Sequence, residues 1–220
     1  ATVARERVSH DMRIEIIDSY SVSLALGGIV LEAAEAAARG ESLERVTAVT
    51  RRAMDSVRLL AMVDTLEYLR RGGRIGRARS FLGSVLNIKP LIRVEDGEVA
   101  PFERVRTRTK AIDRLVELAL SDKGAKRILV ACGGNDAEAE ALVERLRPSF
   151  AHTEFVVAPF GPVVGVYAGP NALGLAAMAA SWCSAAPLRP APRDLSRPDP
   201  LSAHGRDAHV SVLSACELLQ

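Results

Sequence analysis

The sequence predicts an α/β protein built on a mixed sheet, and three observations carry that prediction. Short apolar runs of strand character alternate with segments whose apolar residues recur at helical spacing. Glycines and prolines mark the boundaries between them. Two apolar runs, Lys89 to Glu95 and Glu98 to Val105, are joined directly by Asp96-Gly97, a dipeptide favoured in tight hairpins, so an antiparallel pair interrupts the alternation.

Taken in order, Arg13-Ile14-Glu15-Ile16-Ile17 alternates before Asp18-Ser19, which predicts a strand ending in a polar turn. Leu26, Ile29, Val30, Ala33, Ala34 and Ala37 predict a helix that stops at Gly40. Ser42 is placed to cap a second helix with the stripe Leu43, Val46, Val49, Ala53, Met54 and Val57. Glu44 sits in its first turn, where the helix dipole favours a negative charge. Arg58 to Val63 reads as a strand, followed by a short helix through Leu66 and Leu69 that must end at Gly72-Gly73, and by another from Gly76 to Leu86. Beyond the hairpin, Ile112, Leu115, Val116 and Ala119 mark a helix and Arg127 to Cys132 a buried strand. Leu142, Val143 and Leu146 mark a helix started by Asn135 or Asp136. Glu154 to Ala158 and Val163 to Tyr167 are the last strand candidates. From Ser181 the character changes: Pro187, Pro190, Pro192, Pro198 and Pro200 crowd a stretch rich in Arg, Ser and Ala, which predicts a disordered tail over 181–220.

Composition narrows the function classes. A chain of 220 residues has room for one large or two small domains, and 48% apolar with 25% charged residues is an ordinary globular balance. The net charge of +2, from 29 basic and 27 acidic groups, supplies no overall field toward nucleic acid or anionic membranes, so any anion binding must be local. Cys132, Cys183 and Cys216 form neither a CxxC pair nor part of a metal set, which fits a reduced, cytoplasmic protein without a metal. The N-terminus reads as no secretory signal, and the missing initiating Met points to a fragment. Phe155 to Leu188 carries no charge, but Pro159, Pro162 and Pro170 with Gly161, Gly165, Gly169 and Gly174 break any membrane-spanning helix there.

Two segments stand out chemically. Thr65 to Pro90 gathers Arg70, Arg71, Arg74, Arg77 and Arg79 around a glycine pair. Three readings stand open for it: a solvated basic turn, an anion or partner-docking site, and an RNA-binding module. The RNA reading lacks interleaved aromatics apart from Tyr68 and Phe81, and no P-loop lysine follows the glycines. Its apolar half, with Ile75, Phe81, Leu82, Val85, Leu86 and Ile88, is suited to line a pocket beside the basic turn, the layout an amphipathic ligand needs. An acyl chain of about 16 carbons would gain on the order of 10 kcal/mol from burial, before ordering costs. The second segment is Gly161 to Gly174. Its glycines serve backbone geometry alone, or else Gly169-Pro170-Asn171 open a helix toward an anionic head group, with the Tyr167 hydroxyl as a further donor. Catalytic sets are thin. Ser19 has no evident histidine partner, the four histidines are scattered, and Cys132-Gly-Gly-Asn-Asp136 reads as a strand-to-helix turn with a buried thiol. A binding protein rather than an enzyme is expected.

The run Thr65-Leu-Glu-Tyr-Leu-Arg-Arg-Gly-Gly-Arg-Ile75, then Leu86-Asn-Ile-Lys-Pro90, Arg106-Thr-Arg108 after the Gly97 hairpin, and the closing Gly-Pro…Gly-Pro-x-Ala-Leu-Gly174 resemble the DegV family in composition and order. Ile17-Asp18-Ser19 with Gly27-Gly28 beyond adds to the resemblance, which spans about Ala1 to Ala180. The resemblance implies bacterial fatty-acid-binding carriers with a parallel-sheet α/β domain and a second α/β domain with a mixed sheet, enclosing one long-chain fatty acid between them. The carrier presents the carboxyl group to a separate fatty acid kinase for phospholipid synthesis and catalyses nothing itself.

On that basis residues 1–57 are expected to be the C-terminal remnant of the first domain and 58–180 the second domain. The family's upstream hydroxyl motifs that hold the carboxylate are missing from this chain. The implied lipid contacts are Ile75, Phe81, Leu82, Val85, Leu86, Ile88, Tyr167, Gly169 and Pro170, with Arg70, Arg71 and Arg74 facing the head group or the kinase. Tyr167 stands where many members carry a histidine, so its contact has a donor but no positive charge. An RNA-binding module and an inactive fragment remain the competing expectations.

Overall fold

A computed structural model of the chain describes residues 5, 13–83, 88–121 and 124–178. Its centre is a six-stranded mixed sheet of β1 (Val57–Met62), β2 (Lys89–Glu95), β3 (Glu98–Val105), β4 (Arg127–Cys132), β5 (Glu154–Pro159) and β6 (Leu173–Met178), in the order β3-β2-β1-β6-β4-β5. Only β4 and β5 run parallel; the other neighbours are antiparallel. The predicted α/β fold with a mixed sheet is therefore present. The β2–β3 hairpin turns through Asp96 (φ 54°) and Gly97 (φ 78°), and two successive positive φ values are what a two-residue turn demands of an Asp-Gly pair.

Helices α1 (Ser23–Ala38) and α2 (Leu43–Ser56) precede the sheet, and α2 runs into β1 without a loop. The Ser42 hydroxyl accepts from the Arg45 N–H and caps α2, and Gly40 (φ 75°) supplies the turn before it. Helices α4 (Arg108–Leu120) and α5 (Asp136–Leu146) start under the side chains of Thr107 and Asn135. They bury Leu115, Val116, Leu142 and Val143 against Leu60, Met62, Ile128, Val130 and Leu175 on one sheet face. On the other face α1 lies against Leu129, Ala176 and Met178. A β-carbon on Gly28 would stand 2.7 Å from Met178 Sδ, so the glycine permits this close helix-to-sheet approach.

The structure departs from the sequence reading in four places. Residues Arg13 to Ile17 form no strand. A strand needs a neighbour for its backbone groups, and here the segment meets α2 instead, through Arg13 with Glu44 and Glu15 with Arg51. Of the helix expected from Gly76 to Leu86, 84–86 lie outside the described residues, and the described part is a 3-10 helix over Gly76–Phe81. Gly76 (φ 47°) brings it so close to β3 that a β-carbon there would lie 2.6 Å from the Val99 carbonyl oxygen. Val163 to Tyr167, read as a strand, lies in helix α6 (Pro162–Ala168), where Pro162 presets the first turn and Gly169 (φ 77°) ends it. Gly169-Pro170-Asn171 consequently open no helix. They form the turn into β6, a strand buried at all six residues between β1 and β4. The tail expected over 181–220 lies outside the described residues.

Candidate functional site

The register brings the ends of several elements to one edge of the sheet. Met62 of β1 and Cys132 of β4 both pair with Leu173, the first residue of β6. At this edge lies α3 (Glu67–Arg71), which ends at Gly72 and Gly73 and leads into Ile75. Ile75 is buried with Val63, Leu66, Leu69, Ala78, Ile92 and Ala172, and Phe81 and Tyr167 pack on the same cluster.

Two glycines make the contact between α3 and α6. A β-carbon on Gly72 would overlap the Tyr167 ring, and one on Gly169 would overlap the Tyr68 ring. Each motif thus supplies a glycine for the other's tyrosine. The glycines singled out in the sequence are here for close approach, and Gly169 also for its positive φ.

The five arginines of the basic turn are unequal. Arg70 and Arg71 both donate to Glu67, at 2.7–2.8 Å, and these hydrogen bonds hold the Glu67 carboxyl down at about 2. Arg77 pairs with Glu95 at 2.8 Å and Glu98 at 3.7 Å. Among the described residues Arg74 and Arg79 hold no carboxylate. Arg74 lies 5.2 Å from the centroid of the Tyr167 ring, within reach of its π face. The local positive charge forecast for the whole turn is therefore concentrated on two of its residues.

The remaining expected contacts are dispersed. Phe81 is half-buried beneath Arg104, 4.5 Å away. Leu82 is 40% exposed, Ile88 is half-buried, Gly169 is buried and Pro170 is exposed. Val85 and Leu86 lie outside the described residues. The structure thus gathers Arg74, Ile75, Phe81, Tyr167 and Gly169 in one place. It sets Arg70, Arg71 and Leu82 toward solvent.

Sequence reasoning missed a polar cluster at the same edge. Asp64, just after β1, accepts from Lys89 at 2.8 Å, from Arg108 at 3.1 Å and from the Asn171 amide at 3.2 Å. Arg108 also donates to Glu138 at 2.8 Å and to the Asn171 carbonyl at 2.8 Å. Burial by itself would raise the Asp64 carboxyl, but the hydrogen bonds from Lys89 and Asn171 and the charges of Lys89 and Arg108 outweigh it, so the group lies below its ordinary value. The available signal was a lone carboxylate after a buried strand and an arginine at a helix start, neither of which names its partner.

Nucleophile chemistry finds little support at this edge. Cys132 is buried, donates to Asp136 at 3.0 Å, and burial followed by that carboxylate pushes its thiol up to about 11. Among the described residues no group of three or more His, Cys, Asp or Glu is placed to hold a metal ion. Among the described residues no helix is long and apolar enough to cross a membrane.

The family model that matches, described as "Uncharacterised protein, DegV family", covers residues 1–180. A DegV domain-containing protein of Clostridium acetobutylicum is 37% identical over 182 residues, which are 80% of this chain and 64% of the relative. One from Streptomyces coelicolor is 41% identical over 168 residues, 74% of this chain and 59% of its own. This chain therefore spans less than two thirds of the length of these curated relatives. Among solved structures, a DegV family protein from Thermus thermophilus, presented for its fatty acid binding, aligns with TM-score 0.71 and 34% identity over 80% of this chain and 63% of that one. DegV of Bacillus subtilis, presented as a fatty acid binding protein, aligns with TM-score 0.71 and 34% identity over 81% of this chain and 64% of its own. With a family match across most of its length and the same mixed-sheet fold, the chain belongs to the DegV family.

Proposed function

We propose that this chain is part of a fatty-acid carrier, which encloses an acyl chain and presents its carboxyl group to a separate fatty acid kinase without catalysing a reaction itself. Fatty acid binding by relatives from Thermus thermophilus and Bacillus subtilis supports the ligand class. The observation that carries the reading here is Arg74. It is an arginine free of carboxylates among the described residues, stacked on Tyr167 at the rim of the apolar cluster around Ile75 and Phe81. An amphipathic acid needs this combination of a fixed cation, a hydroxyl donor and an adjoining apolar wall. In this reading Arg74 supplies the charge that Tyr167 lacks, and the exposed Arg70 and Arg71 belong to the kinase-facing surface. Residues 1–57 then complete a first domain from the rest of the carrier, and 58–180 form the second.

Mass spectrometry of lipids extracted from the purified protein tests the reading, together with rebinding of oleic acid to the stripped protein. A co-purifying long-chain fatty acid, lost in Arg74→Ala, is the expected result. Absence of any acyl ligand, with retention of RNA that weakens steeply with salt, would replace the carrier reading by the polyanion one.

A further inference from the structure

Asn171 is a non-glycine residue held at φ 60°, in the left-handed region that side chains disfavour. Three contacts fix it there. Its N–H donates to the Gly133 carbonyl at 3.0 Å, its carbonyl accepts from Arg108 Nη2 at 2.8 Å, and its Nδ2 donates to Asp64 Oδ2 at 3.2 Å. The anchors come from the end of β4, the start of α4 and the end of β1, and they are themselves braced by Glu138 and Lys89. Backbone strain of this kind persists where the surroundings over-determine it, and it concentrates at ligand sites. Asn171 belongs to the same short turn as Gly169, whose close fit under Tyr68 accompanies that of Tyr167 on Gly72.

The charges of the cluster argue against a direct ligand role. Asp64 and Glu138 offset Lys89 and Arg108 one for one, which leaves no unpaired cation there for an anion. Building on the fatty-acid reading, we propose that Asp64 and Arg108 are positioning residues: by locking Asn171 in its left-handed conformation they hold Tyr167 beside Arg74 and so set the geometry of head-group recognition without touching the ligand.

The test uses the full chain stripped of lipid, with oleic acid and oleyl alcohol as probes. A ligand-independent readout comes from NMR of ¹³C-tyrosine protein, in which Tyr167→Phe assigns the Tyr167 ring. Asp64→Ala and Asn171→Ala are each expected to weaken oleic acid by about tenfold while changing oleyl alcohol by less than about twofold, because only the carboxylate depends on the placed donor and cation. Both variants should move the Tyr167 resonances and leave those of Tyr20 in place. Asn171→Gly adopts the left-handed conformation without the amide and keeps both backbone hydrogen bonds, so it should leave the Tyr167 resonances in place and oleic acid binding within about twofold; a tenfold loss of oleic acid in it overturns the proposal, whether or not the alanine variants fold. Equal losses for acid and alcohol, or a lowered melting temperature with unmoved Tyr167 resonances, overturn the proposal. If the unaltered chain binds neither probe, the fatty-acid reading has failed by itself. The resonances then decide the positioning alone, with unmoved signals overturning it.

Discussion

Tyr167 packs its ring onto Gly72 at a separation that leaves no room for a β-carbon, and this contact joins the two segments that the sequence marked out separately. Gly72 has φ −77°, open to any residue, so its constraint is steric and not conformational. Gly72→Ala should therefore displace Tyr167 and cost about 1–3 kcal/mol. Combining it with Tyr167→Ala should recover part of that loss, measured as a coupling energy in a double-mutant cycle of urea denaturations.

Arg127 is the buried cation that fastens α1 to the sheet. Only 3% of its side chain is exposed, and it meets Glu32 at 3.0 Å, Glu35 at 2.5 Å and Glu154 at 2.6 Å. Glu32 and Glu35 keep Lys126 as a partner and all three carboxylates reach solvent, so Arg127→Ala should destabilise by about 1–3 kcal/mol through the lost hydrogen bonds and the vacated volume, whereas Arg127→Met, which refills the volume, should cost less. Equilibrium urea unfolding measures both.

Acid should weaken the fold through Glu35 and Asp64. Hydrogen bonds from Lys126 and then Arg127 lower the Glu35 carboxyl against an opposing desolvation, and Asp64 is lowered despite its burial. A carboxyl lowered in the folded state contributes fully above its unfolded value, 4.5 for Glu35 and 3.8 for Asp64, and that contribution disappears as pH falls through the folded value. The urea midpoint should accordingly stay level on the neutral side of these values and drop on the acid side. Asp64→Asn should have a shallower acid limb.

Cys132 should resist alkylation. With its thiol raised to about 11 and its side chain buried, little thiolate exists near pH 8. Peptide mapping after iodoacetamide should find Cys132 unmodified in the folded protein and modified after urea. Rapid labelling of the native protein would contradict the buried hydrogen bond to Asp136.

The elements read correctly from sequence are those with a local cause. Ser42 and Asn135 cap their own helices, and Asp96-Gly97 makes its own turn. The departures include a reversal of two neighbouring segments near the end of the described chain. Val163 to Tyr167 has β-branched content and reads as a strand, while Leu173 to Met178 follows the helix start offered by Gly169-Pro170-Asn171 and carries the helix formers Leu, Ala and Met. The structure reverses both, because the slot between β1 and β4 takes small residues under close neighbours. The Phe160 ring would stand 3.2 Å from a β-carbon on Gly174.

By itself the sequence determined the fold class, the hairpin, the capped helices, the family and the two glycine-bearing motifs, all of which rest on neighbours close along the chain or on residue order. Only the tertiary structure decided that Arg77 pairs with Glu95 while Arg74 turns to Tyr167. It alone joined Asp64 to Asn171 across 107 positions. The reason is topological: antiparallel pairing of β6 with both β1 and β4 brings distant strand ends to one edge, and no local periodicity records which polar groups meet there.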